Sequence, residues 1–412
     1  FHLSHVFLFA LGESQLRFLV EDSIGQWYEL ATWYVVCSLG CLGLGVALSR
    51  PPRADGGESH ATIEETEAVG FWAGLGLLAG SAVAFVMLVA AVGNILAYSR
   101  TEIFAGVGDT RGLGFFLLVL PSAVILLVCT ARKGPQQLLA FLLAAAYFVA
   151  VMFLGERSAA LFPMLVGLVV WRKLGRSIPT PVIAGILIGV LVIVPAVRQL
   201  RDVGPYSRIT SQDVAASFKG TQAGDVFLEL GAMHGVLAYV LKWVPAEEPY
   251  RYGMSYLKAL PGAIPNIGFR QGQSERSLMS GGAMDTAARA REMSPADWYI
   301  FRLNRWMFDV GGGGGFSFIA EAYLNFGLAG VVVVMFGVGL FLGRLDYRNL
   351  RHEPRWVVLA VITMWPLLKI IRNDFDNFVK PIGLIMATLL IWWMISKVLG
   401  FTPAQHLRSA GR

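Results

Sequence analysis

Apolar runs of about 20 residues recur along most of the chain, separated by short polar connections. That is the length of helix needed to cross a bilayer's hydrocarbon core. The pattern predicts spans at Tyr28–Leu48, Val69–Val92, Gly114–Ala131, Gln137–Leu154, Ser158–Trp171, Pro181–Val197, Phe316–Gly343, Arg355–Ile371 and Pro381–Gly400. Phe1–Val20 makes a weaker tenth, interrupted by Glu13 and Arg17. It lacks a basic start and a small-residue cleavage site, so it does not read as a signal peptide. From about Arg198 to Gly315 the pattern breaks. The expected architecture is an all-α polytopic membrane protein of about ten transmembrane helices. It has an N-terminal helical group (1–197), a large non-cytoplasmic insert (198–315) and a C-terminal helical group (316–412).

Composition agrees with many spans rather than one anchor. Of 412 residues, 55% are hydrophobic and 15% charged, against roughly 25% charged in soluble domains. The formal net charge is +6, and its distribution matters more than its size. Arg50 and Arg53, Arg132 and Lys133, Arg172, Lys173 and Arg176, Arg344, Arg348, Arg351 and Arg355, then Arg408 and Arg412 occupy alternate connections and the tail. Alternation of this kind orients a polytopic protein with its basic connections in the cytoplasm. It leaves no focused patch for nucleic acid. The insert falls on the outer side. Between Arg201 and Asp309 it carries 12 Lys/Arg and 11 Asp/Glu, so an anion site there must come from a few local arginines. Its helix-like stretches are Ala223–Trp243 and Ala283–Phe308. The run Gly311–Gly315, which joins it to the next span, reads either as a hinge or as backbone open to close approach. The glycine pairs Gly76/Gly80, Gly185/Gly189 and Gly339/Gly343 suit close helix packing. Cys37, Cys41 and Cys129 all lie in apolar runs, so the insert has no disulfide framework.

Several ionisable residues are not explained by orientation. Charge at span depth is costly and tends to face a cavity. Arg157 lies between two spans, Arg198 and Arg201 at the outer end of another, Glu321 about one turn inside the eighth with Tyr323 and Asn325 nearby, and Arg372 and Asp374 after the ninth. They share one depth, so a bundle can gather them into one outward-facing cleft. Clustered guanidinium groups suit a diphosphate, because each donates two parallel hydrogen bonds and stays charged. The competing account is that each arginine snorkels to lipid headgroups. Asp374 and Asp376 form a D-x-D, a pattern found around divalent metals, but Arg372 and Lys380 beside them offer neutralisation without one; no metal or cofactor is expected. His234, the insert's one histidine, is either structural or a base.

The stretch from Gly315 to Gly330, with Ser317, Glu321, Asn325 and Gly327 ahead of an apolar span, resembles the O-antigen polymerase (Wzy-type) family. The turn Gly155-Glu-Arg-Ser158, the stretch Tyr252-Gly-Met-Ser-Tyr-Leu257 followed by Ile264-Pro-Asn266, and Arg372-Asn-Asp-Phe375 agree with it. Asn373 stands where a glycine is expected. The resemblance implies a GT-C-like membrane glycosyltransferase that joins undecaprenyl-diphosphate-linked oligosaccharide repeats at the periplasmic face of the bacterial inner membrane. It also implies a chain-length-regulating co-polymerase as partner. On that reading Arg157, Arg198, Arg201 and Arg372 hold the departing diphosphate and Arg270 orients diphosphate or sugar. Glu321 is the first candidate base and His234 the second, and Tyr323, Asn325 and Asp374 face substrate, with Tyr250, Tyr252, Tyr256 and Trp298 as sugar-binding aromatics. The rival readings are an O-antigen ligase acting on lipid A core, a lipid-linked oligosaccharide transporter and a non-catalytic scaffold.

Overall fold

The computed structural model describes residues 24–49, 62–92, 116–132, 134–153, 157–178, 180, 183, 210, 212, 223–264, 292–309, 315–348, 350 and 353–400. Among the described residues the regular structure is helical throughout. In chain order the helices are α1 (Gly25–Leu48), α2 (Ile63–Val92), α3 (Phe116–Thr130), α4 (Pro135–Phe153), α5 (Arg157–Lys173), α6 (Ala223–Trp243), α7 (Met254–Ala259), α8 (Pro295–Leu303), α9 (Arg305–Asp309), α10 (Phe318–Asp346), α11 (Pro354–Lys369) and α12 (Asp376–Val398). Short 3₁₀ turns follow α7 (Leu260–Ala263) and α11 (Ile370–Arg372). Among the described residues six helices are long and apolar enough to cross a membrane: α1, α2, α4, α10, α11 with its 3₁₀ turn, and α12. The shorter α3 and α5 match two more expected spans. The protein is therefore a polytopic helical membrane protein. The expected span Phe1–Val20 lies outside the described residues, and so does Pro181–Val197 apart from residue 183.

The two largest hydrophobic clusters among the described residues organise the bundle. One joins α1, α6, α8 and the N-terminal part of α10 through Tyr28, Val35, Leu237, Trp298, Ile300 and Leu324. The other joins α2, α3, α5, α11 and α12 through Leu77, Leu126, Val166, Trp365 and Ile385. Trp365 also donates from its indole nitrogen to the Ser122 hydroxyl at 2.9 Å, tying α11 to α3. Helices α1 and α10 approach backbone to backbone. A Cβ on Gly45 would collide with the Phe336 carbonyl, one on Gly339 with the Leu42 carbonyl, and one on Gly343 with Ser49. Gly76 and Gly80 likewise admit Trp392 and Thr388 of α12 against α2. Within lipid, such van der Waals contact is the main attraction left between apolar helices.

One end of the bundle gathers the basic connections. The Lys173 ammonium donates to the Asp346 carbonyl at 2.7 Å and pairs with its carboxylate. Arg176 pairs with Glu67 at 2.6 Å and donates to the Ala131 carbonyl at 3.1 Å. Helix α2 starts at this end with a reciprocal cap, in which Glu65 N–H donates to Thr62 Oγ1 and Thr62 N–H to Glu65 Oε2. The C-termini of α5 and α10 therefore lie together. Arg157 at the start of α5, Glu321 near the start of α10 and Arg372 after α11 all belong to the opposite end.

The insert's described helices do not form a body apart from the spans. Helix α6 spans Ala223–Trp243 as expected and packs on α1 and α10. The second expected stretch contains α8, which starts at Pro295. Ser294 caps it by accepting from Asp297 N–H at 3.2 Å. Residues 265–291, including Arg270, lie outside the described residues.

Candidate functional site

The polar centre of the opposite end is built on α10. Ser317 caps the helix, accepting from Ala320 N–H at 3.4 Å, and Glu321 follows in the first turn. The helix then breaks. Phe326 (φ −140°, ψ 15°) and Gly327 (φ 63°, ψ −151°) leave helical geometry, and Gly327 takes a conformation open essentially to glycine alone. The break frees the carbonyls of Leu324 and Asn325. The insert supplies their donors: Arg251 N–H reaches Leu324 O and Tyr252 N–H reaches Asn325 O, each at 3.0 Å. Gly253 N–H adds a bond to Asn325 Oδ1 at 3.0 Å. The turn that aims these three amides holds Tyr252 at φ 49° and Gly253 at φ 84°.

Glu321 joins this turn to the chain after α11. It is 1% exposed. Its Oε1 accepts from the Ser255 hydroxyl at 2.6 Å and its Oε2 from Phe375 N–H at 2.6 Å. Asn325 Nδ2 donates to Ser255 Oγ at 2.7 Å and to the Glu321 carbonyl at 2.9 Å. A buried carboxylate is tolerated when its lone pairs are satisfied in this way. Phe316 N–H donates to the Arg372 carbonyl at 3.1 Å. Gly315, at φ 70°, passes so close that a Cβ there would lie 3.0 Å from the same oxygen. This last glycine of the run is therefore a site of close backbone approach, made to the protein's own chain; Gly311 to Gly314 lie outside the described residues.

Asp374 is buried beside this knot. Its Oδ2 accepts from Ala296 N–H at 3.3 Å and its Oδ1 from Asn377 Nδ2 at 2.8 Å. Asp376 instead pairs with Lys380 one turn on. The two carboxylates of the D-x-D thus hold different partners. Asn373 has φ −145° and ψ 177°, extended backbone that any residue adopts. Its side chain donates to the Lys369 carbonyl at 3.0 Å. The expected glycine is not required here.

Arg251 lies against the same group. Its Nη1 donates to the Met293 carbonyl at 2.8 Å and its guanidinium sits 5.3 Å from the Trp298 ring centroid. Burial pulls it down to about 10, opposed by the carboxylates of Glu248, Glu321 and Asp374, so it keeps its charge at neutral pH.

The structure thus gathers Glu321, Asn325, Asp374 and the Arg372 backbone in one place. Tyr323 points elsewhere on α10: its hydroxyl donates to the Val244 carbonyl at 3.1 Å and its ring packs edge-on to Tyr34 and Tyr250. Trp298 is fully buried, with its indole N–H on Glu248. Tyr256 packs on Phe375 and Phe326, and only Tyr252 among the four aromatics is widely exposed. His234 is fully buried on α6, its Nε2 lying 3.0 Å from the Tyr28 carbonyl and 3.3 Å from Thr32 Oγ1 of α1. Arg157 opens α5, and Arg198, Arg201 and Arg270 fall outside the described residues. Sequence reasoning passed over Arg251 and quoted Ser255 only within the Tyr252–Leu257 stretch, without a role; their partners on α10 lie 66 to 73 positions away. The available signal was the unusual Tyr252-Gly253 pair, a sign of a tight turn.

Fold and site together define a polytopic membrane protein in which a polar knot at one end clamps the turn before α7 to the spans. A family model described as O-antigen polysaccharide polymerase Wzy matches residues 3–400, nearly the whole chain. The chain belongs to that family, whose role is polysaccharide polymerisation by a glycosyltransferase-like activity. No curated protein and no solved structure matches it.

Proposed function

We propose that the protein extends a glycan carried on undecaprenyl diphosphate, working at the periplasmic face of the bacterial inner membrane. The acceptor is a second lipid-linked repeat unit. Its terminal sugar hydroxyl attacks the anomeric carbon of the donor chain, the bond from that carbon to the diphosphate oxygen breaks, and lipid diphosphate leaves. One such displacement inverts the anomeric centre. Charge grows on the departing diphosphate, and preorganised guanidinium groups stabilise it most effectively. Arg157 and Arg372 are the proposed clamp, with Arg198, Arg201 and Arg270 extending it. The partners already held by Asp374 and Asp376 favour a reaction that needs no metal there.

The observation that carries this reading is the depth of the knot. From Gly327 to Asp346, α10 spans about 30 Å at 1.5 Å per residue, the thickness of the hydrocarbon core. Glu321 and its partners therefore sit just beyond one hydrocarbon boundary, where a lipid's diphosphate lies. Glu321 is occupied on both oxygens, which favours a positioning role: it fixes the insert turn and the Arg372–Phe375 strap relative to each other. His234, held against α1, is likewise cast as structural. The acceptor proton then passes to a base at the cleft surface. Membranes supplied with a defined lipid-linked repeat test the clamp. Arg157→Ala and Arg372→Ala should each lower chain extension by about 100-fold at unchanged expression; wild-type extension by both removes the clamp.

A further inference from the structure

We propose that α7 and the 3₁₀ turn after it lie in the outer leaflet of the bilayer and bind lipid acyl chains, although they belong to the insert that sequence places outside the membrane. Both ends of this segment are pinned to spans at a known height. At its start, Gly253 faces Phe326, whose Cζ would lie 2.9 Å from a Cβ there. At its end, Ala263 packs backbone to backbone on Gly383 of α12.

These pins mark the level where both spans lose their protein cover. On α10 residues 319–325 are all buried, and exposure begins at Phe326 and Leu328 and continues to Val333. On α12 exposure begins at Met386 and continues through Leu390, Ile391 and Trp393. The segment sits at the edge of a bare apolar belt on both spans. Its own outward side chains continue that belt. Met254 is 48% exposed, Leu257 58%, Leu260 53% and Ile264 73%. Ser255 and Ala259 on the other face are buried. Four large apolar side chains turned outward, next to a hydrocarbon-facing surface, lose least free energy by entering the same phase. Lys258 is exposed on the segment, and its stem is long enough to carry its ammonium up to lipid phosphates. Tyr252, exposed one turn before, has the amphipathic ring favoured at this level. The apolar face is thus continuous with the lipid-facing surface of the bundle, which commits it to bilayer lipid rather than to a second protein.

Nitroxide scanning of the full chain tests the placement. Cys37, Cys41 and Cys129 are replaced by alanine, and single cysteines are placed at Leu257, Leu260, Ile264, Lys258, Ala246 and Val333. Each variant is spin-labelled and reconstituted into phosphatidylethanolamine–phosphatidylglycerol vesicles. Oxygen partitions into hydrocarbon and the nickel–EDDA complex into water. The oxygen-to-nickel accessibility ratio should be several-fold higher at Leu257, Leu260 and Ile264 than at Ala246. It should stay below that at Val333, with Lys258 nearer the value at Ala246. Nickel-favoured collisions at all three apolar positions, or protection from both reagents, would overturn the proposal. The first outcome means water and the second means a covering protein surface.

Discussion

Glu321 acts at the scale of single atoms, and its neighbours make its role separable from that of a base. Ser255 and the Phe375 amide each donate to one of its oxygens. A glutamine keeps one carbonyl oxygen to accept one of these bonds and keeps the side chain's shape. Glu321→Gln should therefore retain measurable chain extension, within about 10-fold of wild type, while Glu321→Ala loses it. Extension assays on both variants at matched expression decide between the roles, since a proton acceptor would be lost equally in both. Removing the Ser255 hydroxyl takes the donor from Glu321 Oε1 and leaves Asn325 Nδ2 with the Glu321 carbonyl as its remaining acceptor, all in a buried place. Ser255→Ala should cost about 1–3 kcal/mol, read from thermal unfolding in detergent. Paired with Glu321→Gln it should be clearly less than additive, because the two share one bond.

At the scale of elements, α10 behaves as two helices meeting at Gly327. A non-glycine residue there must leave its backbone conformation or bear the strain, and its Cβ would lie 3.1 Å from the Tyr250 hydroxyl. Gly327→Ala should lower stability by about 1–3 kcal/mol and also weaken the insert's hold on α10. Hydrogen exchange at the Arg251 and Tyr252 amides should then accelerate, since their acceptors are the carbonyls freed by the break. The α1–α10 crossing makes a contrasting case. Gly339 has ordinary helical geometry, yet a side chain there meets the Leu42 backbone. Gly339→Leu should force the helices apart and lower the melting temperature while leaving the Arg251 and Tyr252 amides protected.

At the scale of the whole molecule, the basic connections at one end and the Glu321 knot at the other set a direction. Arg132, Lys173, Arg176 and Arg348 belong to the first end, and the positive-inside rule assigns it to the cytoplasm. In a background without the three native cysteines, Ala246→Cys should react with a membrane-impermeant maleimide in intact spheroplasts, and Asp346→Cys only after lysis. The reverse pattern would turn the proposed site towards the cytoplasm.

Much of this was already determined by sequence. Length and apolarity are local properties of a segment, so α1, α2, α4, α10, α11 and α12 were legible from runs of residues alone, as was the alternation of basic connections. Glu321, Asn325 and Asp374 stood out because charge and amide groups near span ends need a reason. Tertiary structure decided what they touch. The bonds from Ser255 to Glu321 and from Arg251 to Leu324 join segments some 70 residues apart, and neither segment carries a pattern that names the other. Gly327 stood out in the sequence as part of the Gly315–Gly330 stretch, but nothing in that stretch marked a break in the helix. Its meaning appears once the freed carbonyls are seen to receive the insert's amides, because a buried backbone group must find a partner wherever the fold supplies one.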